Sequence, residues 1–204
     1  MFVAFAVLTL VAWHRLGPSA IDLRLLHGYR ATGGTTVFRI ASLITDLGSP
    51  AVVVCLGVLV ALGIWVRHRS LPWVIACLGA PAVAGFIEAS MKVIVARHRP
   101  ITAVLTGEAG NGFPSGHAAG FSALALVTAF YLCIYSPRFR PAAFSIAIIA
   151  SIIMGITRVL VGAHYPIDVV AGLLLGFGVA NTLALLARIA EHLGLAPRSE
   201  KLSP

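Results

Sequence analysis

Cationic, proton-carrying and nucleophilic side chains fall into three short clusters within an otherwise apolar sequence. The first cluster holds Lys92 and Arg99, the second is Pro114–His117, and the third runs from Arg158 to Asp168. Cations, a hydroxyl, imidazoles and a carboxylate are the groups that a phosphoryl-transfer site needs. We therefore expect the three clusters to meet around one phosphate.

The spacing of the first cluster fits one face of a helix. Lys92 and Arg99 are seven positions apart, which is two helical turns or about 10.5 Å along the axis. Pro100 disfavours helical geometry at the preceding residue, so we expect the helix to end at Arg99 and that side chain to bend over the site. A lysine inside a membrane segment costs about 2.5 to 3.5 kcal/mol, which favours a functional role. The alternative is a structural ion pair with Glu88, one turn earlier, and both roles can coexist.

The second cluster, Pro114-Ser115-Gly116-His117, has the residue order of an anion site at the start of a helix. Proline suits the first turn, where its missing N–H is no loss. Ser115 offers a hydroxyl and Gly116 a backbone N–H at the positive helix end, and glycine has no side chain to hold a phosphate oxygen away. His117 follows, and its imidazole can pass a proton to a leaving oxygen. Alone, the tetrapeptide is also an ordinary helix start.

The third cluster pairs a histidine with a carboxylate four residues later. Pro166 lies between His164 and Asp168 and sets the start of a helix, so the carboxylate can hold one imidazole nitrogen and leave the other free as a nucleophile. Arg158, six residues before His164, can clamp phosphate oxygens with two parallel N–H groups. A solvated turn is the alternative for such a pair, but that explanation must then hold for all three clusters at once.

The composition is that of an integral membrane protein. Of the 204 residues, 59% are hydrophobic and 11% are charged, and the mean hydropathy is +0.96. This sequence is more apolar than that of an ordinary soluble domain. The net charge of +8 is scattered without a basic stripe, which argues against nucleic acid and favours an anionic substrate or a lipid surface. Cys55, Cys77 and Cys133 lie in separate apolar runs, so neither a disulfide framework nor a metal cluster is indicated.

The apolar runs predict an all-α fold, a polytopic six-helix transmembrane bundle forming a single domain over residues 1–204. The first run, Phe2–Trp13, has 12 residues, about 18 Å as a helix against a hydrocarbon core of about 30 Å. It spans only if residues 14–17 extend it, and a cleaved signal peptide is the alternative. The other predicted spans are 51–66, 71–98, 114–135, 142–163 and 166–189.

The connections between the spans are less regular. Residues 18–48 mix charged and apolar side chains, so we expect a short interfacial helix there and a turn at Asp46 before the next span. Residues 99–113 form a polar loop in this interpretation, and residues 190–204 form a flexible tail.

The order of the spans places the reactive residues at one end of the bundle. Arg99 ends one predicted span and Ser115 begins the next, so both lie on one face of the membrane. The chain then crosses away and returns, which brings Arg158, His164 and Asp168 to that same face.

In order and spacing, the three clusters resemble the type 2 phosphatidic acid phosphatase superfamily, whose signature is K-x6-R-P, then P-S-G-H, then S-R-x5-H-x3-D. Here the first and last motifs read Lys92-VIVARH-Arg99-Pro100 and Thr157-Arg158-VLVGA-His164-YPI-Asp168, around Pro114–His117. The one departure is Thr157 in place of the usual serine, which keeps a hydroxyl. The resemblance covers residues 88–168, and three spaced motifs in order are a far stronger signal than any one of them.

The resemblance implies a two-step phosphoryl transfer that needs no metal and no other cofactor. His164 would attack phosphorus to form a phosphohistidine, with Asp168 orienting the ring and stabilising its positive charge. His117 would protonate the leaving group and then activate the water that releases phosphate. The sequence agrees, since it has many cations and no carboxylate cluster for Mg²⁺. The equatorial oxygens would be held by Lys92, Arg99, Ser115, the Gly116 N–H and Arg158.

The expected substrate is a lipid phosphate or diphosphate whose tail stays in the bilayer. Within the family the candidates are polyprenyl diphosphates, phosphatidic acid and phosphatidylglycerol phosphate, and the residues do not choose among them. One alternative is a lipid phosphotransferase that uses the same intermediate. Another is a catalytically silent protein that binds or transports lipid phosphates, which the intact His117, His164 and Asp168 argue against.

The expected location is a bacterial-type plasma membrane, and the resemblance implies a site on its extracytoplasmic face. The basic residues in the connections favour the same orientation by a small positive-inside margin, once the three predicted phosphate ligands are set aside. Arg97 and His98 flank the site and either guide a head group or anchor the chain at the interface. Asn181 is interpreted as a helix–helix hydrogen bond. The sequence gives no oligomeric state.

Overall fold

The computed structural model describes residues 1–14 and 17–194, which contain eight α-helices, two short 3₁₀ helices and no β-strand. The predicted all-α fold is confirmed. Arg15, Leu16 and the tail from residue 195 onward lie outside the described residues. The α-helices are α1 (Phe2–His14), α2 (Ala20–Tyr29), α3 (Thr36–Asp46), α4 (Pro50–His68), α5 (Leu71–Val95), α6 (Gly116–Tyr135), α7 (Arg140–Leu160) and α8 (Pro166–His192).

Five of these helices, α4 to α8, are long and apolar enough to cross a membrane. They correspond to the last five spans that the sequence predicts. The first predicted span also forms a helix, but α1 has 13 residues, about 20 Å, and is shorter than a hydrocarbon core of about 30 Å. It packs against α8, where Phe2 lies beside Gly178.

The third predicted span ends three residues early, at Val95. Ala96 takes a left-handed conformation with φ of 51°, so the helix stops before Pro100 acts on it. The side-chain amide of Asn111 donates a 2.8 Å hydrogen bond to the Lys92 carbonyl and ties the following loop to the helix end. The loop is also not wholly polar, because the 3₁₀ helix that it contains, Ile101–Thr106, is mostly apolar in sequence.

The segment 18–48 forms two helices instead of one short helix. A capping box starts α2: Ser19 Oγ accepts from the Asp22 N–H at 3.1 Å, and the Asp22 carboxylate accepts from the Ser19 N–H at 3.0 Å. In α3, Ile40 and Leu43 are exposed along one side, as in a helix that lies at a membrane interface. Asp46 is the last residue of α3, and its carbonyl oxygen accepts a 3.0 Å hydrogen bond from the Ser49 N–H, so the expected turn before the next span starts at Asp46. Both helices lie against the end of the bundle formed by α7 and α8.

Small residues let α6 and α8 pack closely at the centre of the bundle. A Cβ atom at Gly172 would lie 2.5 Å from the Ser115 carbonyl oxygen and 3.1 Å from the Ala118 Cβ. One turn later, Gly176 lies against Ser122. This spacing of small residues allows two helix backbones to approach in a membrane, where packing drives association.

At the opposite end of the bundle, Glu191 holds three elements together. Its carboxylate accepts a 3.0 Å hydrogen bond from the Trp73 indole and further hydrogen bonds from Ser70 and the Tyr135 hydroxyl. The start of α5 and the end of α6 are therefore fixed to the end of α8. The three motifs lie at the other end of the bundle.

Candidate active site

A cavity of about 280 Å³ opens at the end of the bundle where α5 stops and α6 begins. Three loop or helix-end elements bring polar groups from all three sequence clusters to it. The polar groups along its wall belong to Glu88, Lys92, Arg99, Glu108, Gly116, His117 and His164.

The rest of the cavity is apolar and runs between α4 and α5. It reaches Gly57, which lies about 10 Å along α4 from the start of that helix at Pro50. The polar chamber therefore continues into a groove at membrane depth. The groove is lined by Pro50, Val53, Val54, Gly57, Leu78, Pro81, Ala82, Gly85 and Gly120.

Lys92 projects from the last turn of α5 and forms an ion pair with Glu88. The pair that the sequence offered as an alternative is therefore present, and it lies inside the cavity and not on a lipid-facing surface. A Cβ atom at Gly116 would lie 2.7 Å from a Glu88 carboxylate oxygen. A side chain at position 116 would therefore displace the Glu88 carboxylate from this helix start.

Two arginines from different clusters contact one carboxylate in front of His164. Arg99 and Arg158 each form an ion pair with a different oxygen of Glu108. Arg158 also donates to the Thr45 hydroxyl at 2.9 Å, which fixes its guanidinium from α3. A carboxylate thus occupies the point where both guanidinium groups converge, as an anionic substrate group would.

The position of Arg99 determines which nitrogen of His164 carries the proton. Arg99 Nη1 lies 3.0 Å from His164 Nε2, and a guanidinium only donates. Nε2 must therefore accept, and the proton of the neutral ring lies on Nδ1. This leaves a lone pair on Nε2, the nitrogen that faces Arg99 and Glu108.

His164 lies in the connection between α7 and α8 and is 1% exposed. Burial lowers its pKa well below the ordinary value of 6.5, and the positive charges of Arg99 and Arg158 lower the pKa further. The imidazole is therefore neutral near pH 7, as a nitrogen nucleophile must be.

Asp168 lies behind His164, at the third position of α8. Its Oδ2 is 3.7 Å from His164 Nδ1, longer than a hydrogen bond, and accepts from the Tyr165 N–H at 3.1 Å. Its Oδ1 pairs with Arg97. The carboxylate is therefore placed on the proton-bearing side of the ring, and its other partners hold it there.

The second cluster forms the start of α6. Ser115 is the residue before the first helical turn, it is fully buried, and its hydroxyl has no hydrogen-bond partner among the described residues. Its backbone N–H donates to the Asp168 carbonyl oxygen at 2.9 Å. His117 follows in the first turn of α6 and lines the cavity. In the third cluster, the Thr157 hydroxyl donates to the Met154 carbonyl oxygen in its own helix, α7, at 2.7 Å.

Three charged residues of the site, Asp22, Arg97 and Glu108, are absent from the motif prediction. Glu108 comes from the loop predicted to be merely polar. Arg97, interpreted as a flanking residue, is 2% exposed and pairs with both Asp22 and Asp168. The signal available in the sequence is scarcity: only seven residues are acidic, so a lone Asp or Glu in a connection is a candidate partner for a buried cation.

No group of three or more His, Cys, Asp or Glu side chains is placed to hold a metal ion in residues 1–14 and 17–194. The three cysteines are free thiols in separate helices. Both observations concern only the side chains of the protein as metal ligands.

The family model of the PAP2 superfamily matches residues 73–190. The chain belongs to the PAP2 superfamily. The match covers α5 to α8 and hence every motif residue of the site, and it agrees with the resemblance that the three clusters carry.

Two curated relatives of this PAP2 protein are bacterial. A lipid A 1-phosphatase of Rhizobium etli is 31% identical in an alignment of 189 residues, and the match covers 79% of this chain and 76% of the relative. Phosphatidylglycerophosphatase B of Bacillus subtilis is 27% identical in an alignment of 136 residues, and the match covers 65% of this chain and 66% of the relative.

The fold of the PAP2 protein is also that of a solved structure. The crystal structure of the first transmembrane PAP2 type phosphatidylglycerolphosphate phosphatase from Bacillus subtilis superposes with a TM-score of 0.79 at 22% identity, over 94% of this chain and 96% of that chain. The helical arrangement extends beyond the residues that the family model matches.

Proposed function

We propose that this PAP2 protein removes a phosphate group from a membrane lipid phosphate or diphosphate through a phosphohistidine on His164. The PAP2 family match and the lipid phosphatases among its relatives identify the chain as a phosphatase that acts on lipid phosphates. The proposal adds the intermediate, the roles of the residues and the features of the substrate.

One observation carries the proposal: Arg99 and Arg158 both bind the Glu108 carboxylate directly in front of His164 Nε2. A phosphoryl group in the place of that carboxylate would meet the same two guanidinium groups. Its phosphorus would face the lone pair on Nε2. Lys92 and the start of α6 then approach the remaining oxygens from the cavity wall.

The first step transfers the phosphoryl group to the ring. Arg99 moves from Nε2 to a phosphoryl oxygen, and Nε2 attacks phosphorus as the bond to the leaving oxygen breaks. His117 gives its proton to that oxygen. The ring of His164 becomes positive, and the Asp168 carboxylate on the Nδ1 side stabilises this charge.

The second step releases phosphate. His117, now neutral, takes a proton from a water molecule as the water oxygen attacks phosphorus. The phosphorus–nitrogen bond breaks, its electron pair returns to Nε2, and His164 is neutral again. Both steps use positioned side chains of this chain alone, so we expect activity to persist in the presence of a chelator.

The apolar groove supports a lipid as the substrate. It leads from the polar chamber between α4 and α5 to Gly57, so an acyl or prenyl chain can stay among the helices while the head group reaches Arg99. Lipid A 1-phosphate, phosphatidylglycerol phosphate, phosphatidic acid and polyprenyl diphosphates all combine a phosphate with such a chain. Lipid A and phosphatidylglycerol phosphate are indicated by the printed names of the relatives.

The proposal includes the membrane topology. α1 would be the sixth membrane-embedded helix, since Phe5 stacks on Phe113 at 6.4 Å between ring centroids and Phe2 lies beside Gly178. The site would face outward from a bacterial plasma membrane. A cysteine introduced near Glu108 tests this orientation: it should react with an impermeant reagent added outside, and reaction only from the cytoplasmic side would contradict the orientation.

The decisive experiment is covalent trapping with a panel of lipid phosphates labelled in the phosphate. We expect acid-labile, base-stable label on the wild-type protein and on His117→Ala, and none on His164→Ala. Phosphate release should survive chelation and fall with vanadate. Label on another residue, or hydrolysis with none on His164, would refute the intermediate. Transfer of the label to a second lipid in place of water would favour the phosphotransferase.

A further inference from the structure

A buried network of ion pairs connects α2 to His164, the proposed nucleophile. Asp22 Oδ2 accepts a 2.7 Å hydrogen bond from Arg97 Nη2, and the other terminal nitrogen of Arg97 pairs with Asp168. Asp22, Arg97 and Asp168 are 1%, 2% and 0% exposed. One guanidinium therefore bridges two carboxylates out of contact with water, and the second carboxylate lies beside His164.

The network formed by Asp22, Arg97 and Asp168 carries a net negative charge. Arg97 alone would neutralise Asp168 and leave little field at the ring of His164. Asp22 restores one negative charge to the group, because two carboxylates share a single guanidinium. Buried charges interact strongly with their neighbours, so this net negative charge acts on the imidazole of His164, which lies beside Asp168.

Asp22 is held as a carboxylate by several donors. It accepts hydrogen bonds from the Ser19 N–H and hydroxyl and, at 3.2 Å, from the Ile167 N–H in the first turn of α8. Burial raises its pKa, but the hydrogen bonds from Ser19, Arg97 and Ile167 outweigh burial and hold the pKa below its ordinary value of 3.8. The group is therefore a carboxylate near pH 7.

The groups around His164 are otherwise mostly cationic. The cations are Arg99, Arg158 and Lys92, and His117 is a further titratable neighbour. In the described part of the chain, Glu108 at 3.8 Å and Asp168 at 3.7 Å are the two carboxylates near the ring. In the first step Glu108 gives way to the phosphoryl group. Asp168 is then the remaining carboxylate within 4 Å of the ring, and its own field depends on how completely Arg97 neutralises it.

We infer that Asp22 and Arg97 are positioning residues for the phosphoryl-transfer step. Arg97 fixes the carboxylate of Asp168 on the Nδ1 side of His164, and Asp22 prevents Arg97 from cancelling the charge of that carboxylate. The imidazole thereby keeps the basicity that attack on phosphorus requires. The inference rests on the proposed role of His164 and extends the site to α2, outside the three motifs.

Asp22→Asn is the test, with dioctanoyl phosphatidic acid as substrate and vanadate as inhibitor. The change keeps the shape and removes the charge. We expect kcat to fall about tenfold and the acid limb of the kcat/KM profile to move about one pH unit lower. Vanadate inhibition should stay within about twofold of wild type, since the phosphate ligands are unchanged.

Two further variants at the same position separate charge from fold. Asp22→Ser is a second uncharged variant and should behave like Asp22→Asn. Asp22→Glu retains the charge and should keep the acid limb of wild type even if its kcat is lower. Thermal unfolding in detergent shows whether each variant is folded.

An unchanged kcat in the uncharged variants would overturn the inference, and so would a lower kcat with an unmoved acid limb, which indicates a structural role alone. Covalent trapping on the wild-type protein distinguishes this failure from failure of the proposed function. If His164 is labelled and the Asp22 variants show no shift, only the inference fails; if His164 is not labelled, the proposed function fails.

Discussion

The backbone N–H of Ser115 donates a 2.9 Å hydrogen bond to the carbonyl oxygen of Asp168. The first turns of α6 and α8 are joined by this bond at the level of the cavity. His117 is the second residue of α6, and His164 lies two residues before Pro166, the first residue of α8. The distance between the proposed acid and the proposed nucleophile is therefore set by how closely α6 and α8 pack.

Gly172→Ala is expected to disturb this packing. The new Cβ would lie 2.5 Å from the Ser115 carbonyl oxygen, and a backbone atom in a helix cannot easily move aside. We expect a loss of about 1 to 3 kcal/mol of stability, the usual effect of overpacking, together with reduced activity. Thermal unfolding in detergent and phosphate release measure both effects.

The matched control is Gly63→Ala in α4, where nothing lies within 4 Å of the new Cβ. Alanine favours a helix over glycine by about 1 kcal/mol, so this variant should unfold at the same temperature as wild type or higher. Equal stability of the two variants would show that the contact between α6 and α8 is not tight.

His117 and His164 should differ in the size of their effects. Positioned acid–base catalysis contributes about 10² to 10⁴ in rate, so His117→Ala should retain a measurable residue of activity. His164→Ala should retain essentially none, because the covalent route is lost. A leaving group that needs no proton should restore much of the His117→Ala rate and none of the His164→Ala rate. A fully active His164→Ala enzyme would refute the assignment.

Glu108→Gln should strengthen the binding of anions. In the resting site the Glu108 carboxylate holds Arg99 and Arg158, so vanadate and phosphate must displace it. A neutral amide competes less, and hydrogen bonds to charged groups contribute about 1.5 to 3 kcal/mol. We expect the inhibition constant for vanadate to fall about tenfold.

Glu191→Gln provides the comparison for this change. It removes the same charge at the opposite end of the bundle, where Ser70, Trp73 and Tyr135 hold the carboxylate. Its effect should be on stability, with vanadate binding as in wild type. Weaker vanadate binding by Glu108→Gln would mean that Glu108 assists the anion instead of competing with it.

The sequence was sufficient to predict the helical class and the meeting of the motif residues at one end. Both follow from local information: apolar runs of membrane length, and an odd or even number of crossings between motifs. The spacing of Lys92 and Arg99 did not give the end of α5, because Ala96 in a left-handed conformation stops the helix before Pro100. That conformation depends on the loop that returns to Lys92 through Asn111.

The contacts of Arg97 and Glu108 depend on elements far apart in the chain. Arg97 pairs with Asp22, 75 residues earlier, and with Asp168, 71 residues later. No periodicity connects such positions. Arg97 could be recognised as charged and close to the site, but only the docking of α2 shows that it is buried between two carboxylates.

The pH dependence should reflect the depressed pKa of His164. Because burial and nearby arginines lower this pKa well below 6.5, the neutral nucleophile persists as the pH falls through 6.5. Activity limited by His164 should therefore persist below pH 6.5. Below pH 6.5, His164 binds a proton in the unfolded chain but not in the folded site. The free energy of unfolding is therefore highest above pH 6.5 and decreases as the pH falls below that value.

Asn in place of His164 removes this titration. The difference in unfolding temperature between wild type and His164→Asn should change as the pH falls below 6.5, to the disadvantage of wild type. A constant difference from pH 7 to about pH 5 would show that His164 is not titrated differently in the folded and unfolded states.

The groove between α4 and α5 should determine how long-chain substrates bind. A Cβ at Gly57 would lie 3.8 Å from both the Cys77 carbonyl oxygen and Leu124 Cδ1, which is ordinary contact. Because Gly57 lines the groove, we expect the side chain of Gly57→Leu to fill it. Each buried CH₂ is worth about 0.8 kcal/mol. We therefore expect KM for dipalmitoyl phosphatidic acid to rise about tenfold, with little change for dihexanoyl phosphatidic acid. Gly63→Leu, on the exposed side of the same helix, should leave both values unchanged, and an equal effect of Gly57→Leu on the two chain lengths would place the lipid tail elsewhere.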